Sequence, residues 1–194
     1  LKAFPLKTIF IYLSPIIIFG ALMAYGLNQD AQFVPTPLLG KLAPTFQTQT
    51  LSNVPYNLQD DLGKSWIILN FWSTQCIVCR EEIPQWIKLS TEPKIKILSI
   101  SIQDNPQNLS SYVKDFHITY PILLDLSGKI SLDYGVYGTP ETFIIDPKGY
   151  VRHRVAGMIS SQAIIPFLSW LETQDSTEPM KIHKYFQSLL RSMG

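Results

Sequence analysis

The chain has 194 residues, 46% hydrophobic and 16% charged, with 14 prolines, two cysteines and a formal net charge of +1. That apolar content excludes a disordered chain, two cysteines exclude a disulfide-rich scaffold or a four-thiolate zinc site, and the near-zero charge excludes a nucleic-acid binder, which needs surplus cations against phosphate. The length suits one ordinary domain plus something short, and the charged fraction lies below the roughly 25% of soluble domains, so one segment is expected to leave water.

That segment is N-terminal. No charge occurs between Lys7 and Asp30, and Thr8 to Leu27 is an apolar run whose helical length matches a bilayer core. Pro15 and Gly20 are tolerated in such a helix. Lys2 and Lys7 precede the run, so residues 1–7 are expected in the cytoplasm, 8–27 as an anchor and everything after it exported. A cleaved signal peptide, with Ala24-Tyr25-Gly26 as its small-residue site, and a buried core helix are the competing readings. The first residue, Leu rather than Met, points to a non-standard start or a trimmed chain.

Residues 28–39 read as a polar, proline-containing linker. From 40 to 173 the pattern predicts one α/β domain. Trp66–Trp72 and Ile95–Ile102 have the composition of buried strands. Arg80–Ser90, Pro106–Phe116 and Ser160–Glu172 read as amphipathic helices. Thr142–Asp146 and Tyr150–Val155 flank Pro147-Lys148-Gly149 as a strand–turn–strand. The order is strand, helix, strand, helix, hairpin, helix. Residues 174–194 form a tail whose segment Met180–Met193 suits a terminal helix, packed on the domain or touching lipid or a partner.

The chemistry concentrates at Cys76-Ile77-Val78-Cys79, where both cysteines follow a buried strand and open a helix. A helix N-terminus favours a thiolate on Cys76. Cys79 lies one turn on, close enough to pair with it in a disulfide. This spacing supports dithiol–disulfide exchange, with Cys76 attacking and Cys79 resolving the mixed disulfide. Zinc would need further ligands, and His117, His153 and His183 are scattered singly. Covalent haem attachment needs a histidine where Arg80 stands. A purely structural disulfide would more often staple distant segments.

With Gly40-Lys41-Leu42-Ala43-Pro44-Thr45-Phe46, Leu69-Asn70-Phe71-Trp72 before the cysteines, and Gly135-Val136-Tyr137-Gly138-Thr139-Pro140-Glu141-Thr142-Phe143-Ile144-Ile145-Asp146, the chain resembles the thioredoxin-like fold and, within it, the membrane-anchored CcmG/DsbE family of cytochrome c maturation. The resemblance covers about Gly40 to Leu171, and Tyr120-Pro121, Asp125 and Gly128 also fit it. It implies a central mixed sheet flanked by helices and a cis-Pro140 facing the cysteines, an ordinary trans turn being the alternative. It implies a substrate groove shaped by Thr139, Pro140, Trp72 and Gln75, and acidic residues, Glu82 and Glu141, that hold the nucleophile's pKa up. Glu81 reads instead as a first-turn acid suited to the helix dipole. The family usually has Trp or Thr before the first cysteine and Pro after it. Gln75 and Ile77 stand there instead, so no redox poise carries over.

The expected function is thus a thiol:disulfide oxidoreductase on the periplasmic side of a bacterial inner membrane. It would reduce apocytochrome c, or the chaperone holding it, with electrons from a membrane thiol transporter. No metal or organic cofactor is expected beyond the redox-active Cys76–Cys79 pair. The alternatives are a broader TlpA/ResA-like reductant, serving for example copper-site assembly proteins, and a non-catalytic docking module for apocytochrome.

Overall fold

A computed structural model describes residues 6–27, 36–173 and 179–192. The chain divides into two compact units, 1–31 and 32–194. In the first, Leu6–Leu27 is a single 22-residue α-helix, α1. Pro15 lies inside it and has no N–H for the Ile11 carbonyl one turn back. The Ser14 hydroxyl donates there instead, at 3.4 Å. Side chains of α1 are described over 11–26, about 24 Å of helix, and among the described residues no helix is long and apolar enough to cross a membrane. Apolar side chains on every side of that stretch, such as Ile16, Phe19, Leu22 and Met23, are exposed.

The second unit is built on a five-stranded mixed sheet. Its strands are β3 (Trp66–Trp72), β4 (Ile95–Ile102), β5 (Ile122–Asp125), β6 (Glu141–Ile145) and β7 (Val151–Ala156), in the order β5-β4-β3-β6-β7. β4 runs parallel to β3 and β5 parallel to β4, whereas β6 and β7 form the expected antiparallel hairpin. β3 is central and every residue of it is buried, which is why it reads as an unbroken apolar run rather than an alternation. Its one polar member, Asn70, donates to Thr142 Oγ1 of β6 at 3.1 Å, so its burial leaves that amide partnered.

Helices α2 (Ile77–Leu89), α3 (Pro106–Asp115), α5 (Ser161–Thr173) and α6 (Pro179–Ser192) cover one face of the sheet, where Ile68, Trp72, Ile97 and Ile144 meet Ile83, Trp86, Leu109 and Phe167. On the other face Ile67, Leu69, Phe71, Leu98 and Phe143 pack under Tyr134 of α4 (Lys129–Tyr134) and under Ala43 and Phe46. The terminal helix packs on the domain. Phe186 is 1% exposed with its ring 4.8 Å from Phe167, and Tyr185 stacks on Trp170 at 4.1 Å.

Several short elements escape the sequence pattern, among them a 3-10 turn at Leu58–Asp60. A small antiparallel hairpin pairs β1 (Gln47–Gln49) with β2 (Pro55–Asn57). It is joined to β5 by the Leu51 N–H donating to the Ile122 carbonyl at 2.9 Å. β5 has four residues and α4 six, too short for local periodicity to declare them. They exist because tertiary contacts hold them. The Asp125 carboxylate accepts from the Ile130 and Ser131 N–H groups at 3.2 and 2.8 Å, capping α4 where Gly128, in the left-handed region, offers no side chain. The linker reading of 28–39 and the tail reading of 174–194 fall partly outside the described residues, at 28–35, 174–178 and 193–194.

Candidate active site

The central strand β3 ends at Trp72, and α2 begins one tight turn later, at Ile77 rather than at Arg80. Cys76 is the N-cap of α2, with extended backbone, and its Sγ accepts from the Cys79 N–H at 3.1 Å. An N-cap sulfur thus sits among orphan backbone donors and at the positive end of the helix dipole, both of which favour negative charge on it. Cys76 and Cys79 are joined by a disulfide, with Cα atoms 5.3 Å apart. The two sulfurs are not equivalent. Cys76 is half-buried, whereas Cys79 is 3% exposed and packs into the core. An incoming thiol or disulfide therefore meets Cys76 first.

Opposite the cysteines, the Thr139–Pro140 bond is cis, as the resemblance implies, and the Thr139 carbonyl oxygen lies 3.5 Å from Cys76 Sγ. Gln75, Ile77 and Val78 are exposed beside Cys76, as is Tyr137 on the facing loop. Trp72 differs from expectation. It is 3% exposed, its ring 5.6 Å from Tyr112, because position 72 faces the layer of α2 and α3. Trp72 is a core residue and does not line the groove.

The two acidic residues lie on opposite faces of the sheet. Glu82 points inward from α2, 1% exposed, and its Oε1 accepts from the Ile159 N–H at 2.8 Å. Oε2 has no hydrogen-bond partner among the described residues. Burial pushes its carboxyl up to about 7, against the Ile159 N–H and the Trp86 indole, which favour the charged form. Glu82 is therefore only partly ionised at neutral pH, which the sequence reading of a plain negative charge missed.

Glu141 shares its face with Phe143 and Ile145, away from α2. It is not a lone carboxylate. Arg154 of β7, itself buried, donates from Nε to Glu141 Oε1 and from Nη2 to the Gly135 carbonyl at 2.9 Å. Glu141 Oε2 accepts from the Tyr137 N–H at 3.3 Å, and the Arg154 guanidinium lies 5.1 Å from the Tyr137 ring centroid. Burial raises the Glu141 carboxyl, while Arg154 and the Tyr137 and Gly138 N–H groups pull it down. A guanidinium this close cancels much of the field that Glu141 alone would exert on a thiol, and the pair clamps the 135–138 loop. Arg154 escaped the sequence reading because Val151-Arg152-His153-Arg154-Val155 reads as a strand with cations on its solvent face.

A mixed sheet flanked by helices, with an exposed and a buried cysteine at the mouth of the helix after the central strand and a cis-proline against them, defines a thioredoxin-like dithiol–disulfide oxidoreductase. The AhpC/TSA family model matches residues 39–154. The chain is 35% identical to the thiol:disulfide interchange protein DsbE of Escherichia coli over 159 residues, 76% of this chain and 85% of that protein. It is 31% identical to DsbE of Allochromatium vinosum over 145 residues, 74% and 80% of the two chains. A secreted Mycobacterium tuberculosis disulfide oxidoreductase homologous to E. coli DsbE shares the fold, with a TM-score of 0.56 at 23% identity over 61% of this chain and 90% of that one. The chain belongs to the DsbE family of thiol:disulfide interchange proteins.

Proposed function

We propose that this oxidoreductase works as a membrane-tethered periplasmic reductant in cytochrome c maturation, reducing the disulfide of apocytochrome c or of the chaperone that holds it. The observation that carries this reading is the asymmetry of the cysteine pair, one sulfur accessible at the α2 N-cap and the other buried behind it. In the reduced protein the Cys76 thiolate attacks one sulfur of the target disulfide. A Cys76–target disulfide forms, and the target's second sulfur leaves as a thiolate that takes a proton from water. Cys79 then gives up its proton, attacks Cys76 Sγ and expels the target's remaining sulfur as a thiolate, which takes a proton from water as Cys79's proton passes to water. The target gains two electrons and two protons, and the protein ends as the Cys76–Cys79 disulfide. The surroundings are oxidising, so a membrane thiol transporter must return two electrons for each turnover. No metal or organic cofactor takes part.

Thr139 and cis-Pro140 flank Cys76 and, with Gln75, form the groove for an extended target segment. Glu82 tunes the thiols from beneath, on the same face of α2 as Cys79 and one turn further on. Glu141 acts with Arg154 as a pair. The helix α1, free of charge after Lys7 and with apolar side chains exposed on every side, supports the membrane anchor. Beyond Leu27 lie all 15 acidic residues and all but two of the 16 basic ones, a near-neutral balance that suits an exported domain.

Gln75 and Ile77 favour a second reading, a broader TlpA/ResA-like disulfide reductant, because they alter the surface that meets the target. A Cys79→Ala variant isolated under non-reducing conditions decides between them. It is expected to accumulate Cys76-linked mixed disulfides with a cytochrome-maturation protein. Trapping only unrelated proteins points to the broader reductant, and trapping nothing while cytochrome assembly proceeds normally points to a docking module.

A further inference from the structure

The turn between β3 and α2 is held from outside by one carboxylate. Asp104 lies two residues past the end of β4, is 8% exposed, and accepts from the Thr74 N–H at 3.0 and 3.2 Å through its two oxygens. It also accepts from the Thr74 hydroxyl at 2.6 Å, the Ser73 hydroxyl at 3.2 Å and the Ser101 hydroxyl of β4 at 2.6 Å. The chain of bonds continues toward the nucleophile. The Gln75 N–H donates to Ser73 Oγ at 3.2 Å and the Cys76 N–H to the Ser73 carbonyl at 3.0 Å. Asp104 itself is fixed on both sides. Gln103 before it takes a left-handed backbone with φ 52° and donates its N–H to the Asp125 carbonyl at 3.0 Å, and Asn105 after it caps α3. A non-glycine residue keeps that backbone only where its surroundings enforce it.

Apart from its Ser101 anchor, then, Asp104 makes its hydrogen bonds to the residues just ahead of the attacking sulfur. We propose that Asp104 is a positioning residue of the redox site: from the loop after β4 it holds Ser73 and Thr74, and through them keeps Cys76 Sγ aimed at a protein disulfide docked beside Thr139. Thiol–disulfide exchange needs the attacking sulfur nearly in line with the bond it breaks. A docked polypeptide cannot turn to suit a displaced sulfur, whereas a small free disulfide can. Loss of Asp104 therefore slows exchange with a polypeptide far more than with a small disulfide.

The test uses the full chain in its reduced form and two oxidants, glutathione disulfide and a peptide closed by one Cys-Xaa-Xaa-Cys disulfide. Second-order rate constants are read by rapid quenching and alkylation. Asp104→Ala is expected to slow the peptide reaction about tenfold or more while glutathione disulfide stays within about threefold. Asp104→Asn keeps an acceptor for the Thr74 N–H and is expected to restore the peptide rate to within about threefold of the unaltered chain. The proposal is overturned by an unchanged peptide rate in Asp104→Ala, or by equal slowing with both oxidants. It is also overturned if Asp104→Asn is as slow as Asp104→Ala while its Cys76 alkylates at lower pH, since charge and not placement is then at work. Should Asp104→Ala fail to fold, Thr74→Val and Ser101→Ala each remove one hydroxyl donor. Each is expected to slow the peptide reaction about threefold and leave glutathione disulfide unchanged, and two unchanged peptide rates refute the positioning role.

Discussion

Replacing Glu82 by Gln should remove a loss of stability that grows with pH, opposite in sign to the contribution of a carboxylate held by a cationic partner. Glu82 is shut away from water beneath the cysteines, and burial lifts its carboxyl from the ordinary 4.5 to about 7. The folded chain therefore binds this proton more tightly than the unfolded chain does. Below about pH 4.5 both states carry it, and the group imposes no charge on the core. As pH rises toward 7 the unfolded state ionises freely while the folded state resists, so stability falls, and above about 7 the loss is complete. At about 1.4 kcal/mol per pKa unit the loss amounts to about 3 kcal/mol.

The glutamine introduced by Glu82→Gln would keep an acceptor for the Ile159 N–H, but its amide nitrogen would lie where, among the described residues, neither Oε2 nor the Trp86 indole N–H has a hydrogen-bond partner. That offset does not vary with pH, so the slope carries the information. The assay is urea unfolding of the disulfide-bonded chain from pH 4 to 9, with and without Glu82→Gln. Keeping the disulfide closed removes cysteine titration, and every other group cancels in the difference. The variant should gain about 3 kcal/mol relative to the unaltered chain between pH 4.5 and 7.5. A difference that stays flat over that window would refute the argument, because it would mean that Glu82 ionises in the folded chain as easily as in water.

Glu141→Gln and Arg154→Met should each lower stability by about 3–5 kcal/mol, since each leaves a buried partner uncompensated, and the double variant should lose less than the sum; additive losses in urea unfolding would deny the coupling. In the reduced protein, Glu141→Gln should move Cys76 alkylation to lower pH and the double variant should return it toward the unaltered profile, because the guanidinium leaves with the carboxylate. Phe186→Ala should lower stability by about 3–5 kcal/mol, as it empties a site bounded by the Phe167 and His153 rings; an unchanged unfolding midpoint would mean that α6 does not pack there.

The amino-acid sequence by itself settled the chemistry of this protein and the frame that presents it. Two cysteines three apart, after a run of buried β-formers and at the start of a helix, locate a redox pair because strand burial, helix capping and the N-terminal dipole are all properties of neighbouring residues. The strands 66–72 and 95–102 and the late hairpin are legible for the same reason. What surrounds the sulfurs is not local, and only the tertiary structure decided it. Arg154 reaches Glu141 across the β6–β7 pairing, Asp104 reaches Ser73 and Thr74 from the loop after the neighbouring strand, and Trp72 turns into the core. Nothing in the residues next to Glu141 announces a guanidinium against it, nor does any pattern around Glu82 reveal how completely α5 and the loop before it exclude water. β5 and α4 follow the same rule, being too short to stand on propensity and present only because the sheet and the Asp125 cap complete them. Reactive groups are specified by residue type and spacing along the chain, but their electrostatics depend on which distant segments pack against them.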